Sequence, residues 1–290
     1  AYEMSTGDWS SDVALPIYDD RVENNNTAGR SGYSNTGGVL GYGWGRSTSS
    51  STNITLNAVT SSTTVSGVNN VGGLAGRLEY GTVTASSSTG AVTSTSTADV
   101  VAYRTGGLVG YLNKSNSLLR NSSHTVGLVQ GVNYVGGLAG EAQGQVGTTV
   151  VGTTVTYDTF ASSNVQASGE RIGGLVGFHS SGPLTNSQVN GAVTGLTVSG
   201  APVFAGNYTG GLVGYETSSV TYSRYTGSLV KGGEKTGGLV GHTDNSITSS
   251  YSSGSVTANS HYVGGLMGYG NSITSSYSTA DVSASVNFVG

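Results

Sequence analysis

A five-residue phrase, Gly-Gly-Leu-Val-Gly with small variations, recurs along this chain and restricts its folding more than any other feature. Its first glycines are Gly37, Gly72, Gly106, Gly136, Gly173, Gly210, Gly237 and Gly264, at intervals of 35, 34, 30, 37, 37, 27 and 27 residues. Gly290 stands where a ninth copy would begin. Repeats of this length mark a stacked architecture. One unit cannot bury its own apolar side, and its neighbours bury it instead.

The cleanest copies read GGLVGHTDNSITSSYSSGSVTANSHYV from Gly237 and GGLMGYGNSITSSYSTADVSASVNFV from Gly264. Each holds three strand-like runs, of the kind YVGGLMG, SITSSYS and GSVT, parted by turn-forming Gly, Asn, Asp and Ser. The expected fold is all-β: an elongated right-handed β-solenoid (β-helix) of about eight coils, with three short strands in each. Longer copies fit as the same coil with surface insertions, such as Leu196–Tyr208. Residues 1–36 do not match the repeat and read as an irregular acidic segment or cap, and residues 37–290 as the solenoid.

Within the pentad, position three is Val39, Leu74, Leu108, Leu138, Leu175, Leu212, Leu239 and Leu266, and position four is equally apolar. Successive strand residues face opposite sides, so two adjoining apolar columns mean either a strand covered on both faces, the preferred reading, or one face buried and the other left sticky. The flanking glycines would let other chain approach closely.

Composition agrees with β structure. Of 290 residues, 49 are Gly, 17 are Tyr and none is Cys, while charged residues make only 9%. Ser, Thr, Val and Tyr favour strands over helices. Mean hydropathy is −0.08, and no apolar run approaches the roughly 20 residues of a membrane-spanning helix. Residues 1–36 carry six acids against two bases, and the rest of the chain balances. No basic footprint for nucleic acid or an anionic membrane is present. The first residues, Ala1-Tyr2-Glu3-Met4, show no signal-peptide pattern, so the chain reads as mature, processed or excised.

The pentad and its SITSSYSxGSVT continuation resemble the GLUG motif repeats of secreted bacterial surface proteins. These include large adhesins related to filamentous haemagglutinin and the non-catalytic part of IgA-type metallopeptidases. The resemblance covers roughly residues 37–290 and implies an architectural role. No H-E-x-x-H zinc motif is present, so it implies no peptidase activity here.

Catalytic chemistry is hard to assemble. None of His124, His179, His242 and His261 has a ligand partner three or four residues on. His179 and Glu216 occupy equivalent positions in successive copies, and stacking would put them about 5 Å apart as an exposed pair. Asp158, Glu170 and Asp281 are scattered in repeat register, against the paired carboxylates of glycoside cleavage. Lys231–Thr236 (KGGEKT) lacks phosphate-loop order. Sequons at Asn25, Asn53, Asn113, Asn121 and Asn207 matter only in a eukaryotic secretory host.

The residue after each pentad is more suggestive. Tyr42, Tyr111, Phe178, Tyr215, His242 and Tyr269 share that position with Arg77 and Glu141. Stacked, they form an aromatic column that either shields the leucines or binds a ligand such as a sugar. Tyr251 and Tyr277, with Arg224 in register, form a second column, and Thr221, Thr248 and Thr274 a third. The functional expectation is a non-enzymatic extracellular structural or adhesive protein, the stalk or fibre-forming region of a microbial adhesin or surface filament. Its partners would be cell-surface or matrix glycans, or further copies of itself. It would need no cofactor and no metal, bind no nucleic acid and insert no segment into a membrane. The alternatives are a carbohydrate-binding or ice-binding solenoid, and less favourably a polysaccharide-active β-helix.

Overall fold

The computed structural model describes residues 21–23, 34–45, 54–95, 103–150, 152, 154–196 and 206–285. The segment holding Trp9, Leu15 and Tyr18, most of the Leu196–Tyr208 insertion, and Gly290 lie outside these residues. Among the described residues there are strands and turns but no α-helix. Among the same residues, no helix is long and apolar enough to cross a membrane.

The strands gather into four sheets of nine, eight, eight and twelve. Pairing is parallel, each strand bonding to its equivalents in the copies before and after, as in Val92–Ser94 with Thr64–Gly67 and Val129–Gly131. Parallel sheets in stacked rungs are the architecture of a β-helix.

The nine-stranded sheet shows why the sequence chooses this. Val22, Val65, Val92, Val129, Val165, Val193, Val230, Val256 and Val282 fall in one register row. From Val65 to Val256 the members of this row are fully buried. The next residue along each strand faces out and is polar, as at Thr93, Gln166, Lys231 and Thr257. Burying a valine contributes about 1.5–3 kcal/mol, and the row repeats that gain at every rung. Arg21–Glu23, within the acidic first segment, extends this sheet against Thr64–Ser66.

The pentad differs from its sequence reading. It is a corner, not one strand. In the second copy, Asn70–Gly72 ends one strand, Gly73 and Leu74 bend, and Ala75–Glu79 begins the next. A run such as YVGGLMG therefore belongs to two sheets, and each repeat feeds four sheets rather than supplying three strands. The bend is what lets adjoining apolar residues both turn inward: Leu74 and Ala75 are fully buried, as are Leu212 and Val213. Hydrogen bonding continues through the corner. Leu108 O accepts from Leu74 N at 2.9 Å and from Ala75 N at 3.0 Å, and the pattern recurs at Leu138, Leu175, Leu212, Leu239 and Leu266. A carbonyl has two lone pairs for this purpose.

The corner is covered, as two apolar columns require. The inner row of an eight-stranded sheet, which includes Ser88, His124, Ala161, Val189, Tyr225 and Ser252, packs onto the second glycine of each pentad. A Cβ on Gly107 would stand 2.4 Å from His124 Cγ. Glycine is there for space. The main apolar core runs from Leu56 to Leu266, and Val65, Val71 and Val92 form a second, smaller cluster.

Candidate functional site

The aromatic column forms as the repeat spacing implies. Tyr42, Arg77, Tyr111, Glu141, Phe178, Tyr215, His242 and Tyr269 pair in one register row on the twelve-stranded sheet. Alternation turns this row away from the core while the following residues, such as Leu112 and Ala142, turn in.

A second row packs beside it, which the sequence reading missed. Two residues before the pentads that begin at Gly106 through Gly264 stand Arg104, Tyr134, Arg171, Tyr208, Lys235 and Tyr262, cation and aromatic in strict alternation. The signal lies at a fixed offset upstream of the pentad. Five of these residues turn the chain in a left-handed conformation: Tyr134, Arg171, Tyr208, Lys235 and Tyr262 have φ between 49° and 60°. That conformation is costly for a residue with a side chain, by about 1–2 kcal/mol. It is held here by the backbone bonds on either side, such as Thr209 N to Lys235 O at 3.2 Å.

The two rows interleave. The Arg104 guanidinium lies 4.0 Å from the Tyr111 ring centre and 5.5 Å from that of Tyr134. Arg171 sits 4.7 Å from Tyr134 and 5.2 Å from Phe178, and Lys235 sits 4.8 Å from Tyr208 and 5.1 Å from Tyr269. Rings stack between the cations: Tyr215 on His242 at 4.6 Å and 5°, and Tyr208 on Tyr215 at 5.5 Å and 17°. Acids balance the cations, with Glu141 bonded to Arg104 and Glu79 to Arg77.

Electrostatics favour the neutral forms of Tyr111, His242 and Tyr215. Burial, then the Glu141 charge, pushes the Tyr111 hydroxyl up to about 12. That hydroxyl donates to Asn113 Oδ1 at 3.0 Å and accepts from Gln143 Nε2 at 2.9 Å. Burial and then nearby Lys235 hold His242 below the usual histidine range, against the opposing pull of Asp244. Burial and a hydrogen bond to Asp244 raise Tyr215.

Inside the ladder, ring faces meet other rings and cations, and the hydroxyls of Tyr111, Tyr134 and Tyr215 are bonded to neighbouring side chains. Open rings lie at the ends: Tyr42 is 46% exposed, Tyr269 47%, and Trp44, which the sequence reading passed over, 61%.

The other columns also form. Arg224 pairs with Tyr251 and Tyr251 with Tyr277, whose rings stack at 5.2 Å and 4°. Arg224 lies 3.9 Å from the Tyr157 ring centre and donates to Tyr251 Oη at 3.0 Å. Thr221, Thr248 and Thr274 align, joined by Thr185, but in an earlier rung Thr84 meets Arg120.

The His179–Glu216 expectation needs correcting. The pair is adjacent as foreseen, but it is fully buried, not exposed. Alternation explains this: Phe178 takes the outward place, so His179 must face inward. His179 Nδ1 is 2.8 Å from both Glu216 carboxylate oxygens.

The remaining polar residues serve the frame. Asp158 accepts from the Thr148 hydroxyl at 2.7 Å, Glu170 pairs with Arg171 at 3.3 Å, and Asp281 pairs with Ser255 in the sheet. Among the described residues, no group of three or more His, Cys, Asp or Glu could hold a metal ion. Asn207 Oδ1 accepts from Glu234 N at 3.1 Å, whereas Asn25 and Asn53 lie outside the described residues.

Comparison with known proteins adds one relative. Halomucin of Haloquadratum walsbyi is 32% identical over 166 residues, which is 55% of this chain but only 2% of that protein. The match therefore spans only a small part of that relative's length. No protein-family model matches it. No solved structure matches it.

Proposed function

We propose that this chain is a rod-forming region of a long extracellular repeat protein: the non-enzymatic stalk or fibre of a microbial adhesin or surface filament. The observation that carries this reading is the valine row, which runs on from one repeat to the next and stacks each repeat on its neighbours. Similarity to a stretch of Halomucin supports an extracellular repeat protein. The resemblance to GLUG repeats supports the same placement. In the finer form of the proposal, the stack is a right-handed solenoid of about eight coils, and a spacing of about 4.8 Å gives a repeat region roughly 38 Å long. Its partners are surface or matrix glycans, or other copies.

Small-angle scattering combined with a glycan array and an assay for release of reducing sugars tests the proposal. The expected result is a particle lengthened along one axis that releases no sugar. A compact sphere would overturn the rod, and catalytic sugar release would overturn the non-enzymatic role. Glycan capture that disappears on replacing Tyr42, Trp44 and Tyr269 would move the reading to a carbohydrate-binding module. Inhibition of ice recrystallisation would move it to ice binding.

A further inference from the structure

The inner row of the twelve-stranded sheet begins apolar, with Leu78, Leu112 and Ala142, and then changes to His179, Glu216 and Thr243. Two ionisable side chains thus stand in the core, fully buried and one rung apart. Core positions in a repeat do not need them, since leucine serves elsewhere in the same row.

Their surroundings define their charge. His179 Nδ1 faces both Glu216 oxygens at 2.8 Å, and Nε2 faces Gly144 O at 2.6 Å. Both ring nitrogens meet acceptors. A neutral imidazole offers one N–H, and only the imidazolium offers two. Glu216 Oε1 also accepts from Ser218 N at 2.7 Å, as suits a carboxylate. Gly144 has φ +126°, a conformation open to glycine, and its carbonyl serves as the acceptor for Nε2.

We infer that His179 and Glu216 form a buried imidazolium–carboxylate lock that keys two particular rungs together, closed at acidic to neutral pH and loosened by alkali. In a repeat protein every rung can pair with several near-equivalents. A unique charged pair penalises the wrong pairings, because a displaced rung would leave one charge buried alone. The strands packed around His179 bring no competing charge inward. On the strand Ala139–Val146, Glu141 lies in the outward row with Phe178 and is bonded to Arg104. On Val213–Glu216, Tyr215 lies outward, and Arg171 sits at the corner before Ile172–Gly173. Burial alone would discharge the ring. The Glu216 charge, its hydrogen bond and that of Gly144 outweigh burial and hold His179 above the ordinary histidine value of 6.5. The native state therefore keeps a proton that the unfolded chain has released. The lock's contribution is full below about pH 6.5 and fades as pH rises through the higher native value.

The test is nitrogen-15 NMR of the histidine rings in the native chain, with urea unfolding from pH 5 upward. The expected spectrum at pH 7.5 shows one ring, lost in His179→Leu/Glu216→Leu, with both nitrogens protonated. The expected unfolding midpoint of the native chain falls with alkalinity more steeply than that of the double variant, whose leucines match Leu78 and Leu112. His179→Leu alone should lower the midpoint more than the double change does. A singly protonated His179 at pH 7.5, or identical pH slopes, would overturn the inference. If the double variant does not fold, the native spectrum decides by itself.

Discussion

Gly211 lies against the face of the Tyr225 ring, so closely that a Cβ on the glycine would stand 2.4 Å from Tyr225 Cγ and 2.2 Å from Gly238 O. One obstacle is a buried ring and the other is backbone, so neither can swing aside. Gly211→Ala should therefore cost about 1–3 kcal/mol or more, the price of overpacking a filled core. Gly152→Ala meets nothing within 4 Å and should cost only the strain of its φ of +70°. Chemical unfolding of the two variants checks the contrast. Equal stabilities would show that the corner is looser than its contacts.

Neighbouring residues on one strand test which way the sheet faces. Val230 is fully buried, whereas Lys231 is exposed. Val230→Asp would leave a carboxylate in the valine row without a partner, a change expected to exceed about 4 kcal/mol. Lys231→Asp should stay within about 0.5 kcal/mol. Thermal melts of the two proteins should differ widely, and similar melts would reverse the inside and the outside of this sheet.

Acid should act through His124. Burial in the inner row drives its imidazole down to about 4 from the usual 6.5. Below about pH 6.5 the unfolded chain gains a proton that the native chain refuses, so stability is full above that pH and declines toward pH 4. A shift of this size corresponds to about 3 kcal/mol over the interval. His124→Val, which suits a row that already holds Val189, should flatten this part of the urea-midpoint profile. An unchanged slope in the variant would assign the acid response to other groups.

The cation–aromatic ladder should contribute to stability independently of any ligand. Arg171 lies within 6.0 Å of the ring centres of Tyr134, Phe178, Tyr208 and Tyr215, and it also donates to Tyr134 Oη. Arg171→Ala should cost about 1–2 kcal/mol. Lys114→Ala, with a single ring at 5.7 Å, should cost less than about 0.5 kcal/mol. Unfolding midpoints measured at low and high salt would separate the two, because the partly buried contacts of Arg171 are less screened.

Register was the legible part of this fold, and direction was not. Counting from the pentad placed Tyr111 beside Glu141 and Phe178 beside Tyr215, because a stacked repeat turns sequence offset directly into spatial adjacency. The same counting put His179 next to Glu216. It missed their burial because inside and outside depend on parity measured from a bend, and the bend at Gly73–Leu74 is disguised as continuous strand. The Arg104–Tyr262 row was hidden for a related reason. Those residues precede the phrase that announces the repeat, and from Tyr134 onward they have a left-handed backbone that Arg, Lys and Tyr seldom adopt without neighbours to hold it.

The doubly accepting leucine carbonyls also have a mechanical meaning. Bonds such as Leu74 N to Leu108 O and Leu212 N to Leu239 O join one rung to the next, so they lie along the direction in which the rungs pile up. A pull on the two ends of the pile would load the bonds of one rung side by side, and successive rungs one after another. Because they carry bonds through the corners, the leucines let a rung share tension around its perimeter instead of concentrating it at four separate strands. The pile would then part at its least bonded interface, between whole repeats, and each repeat would remain able to close again on its neighbour.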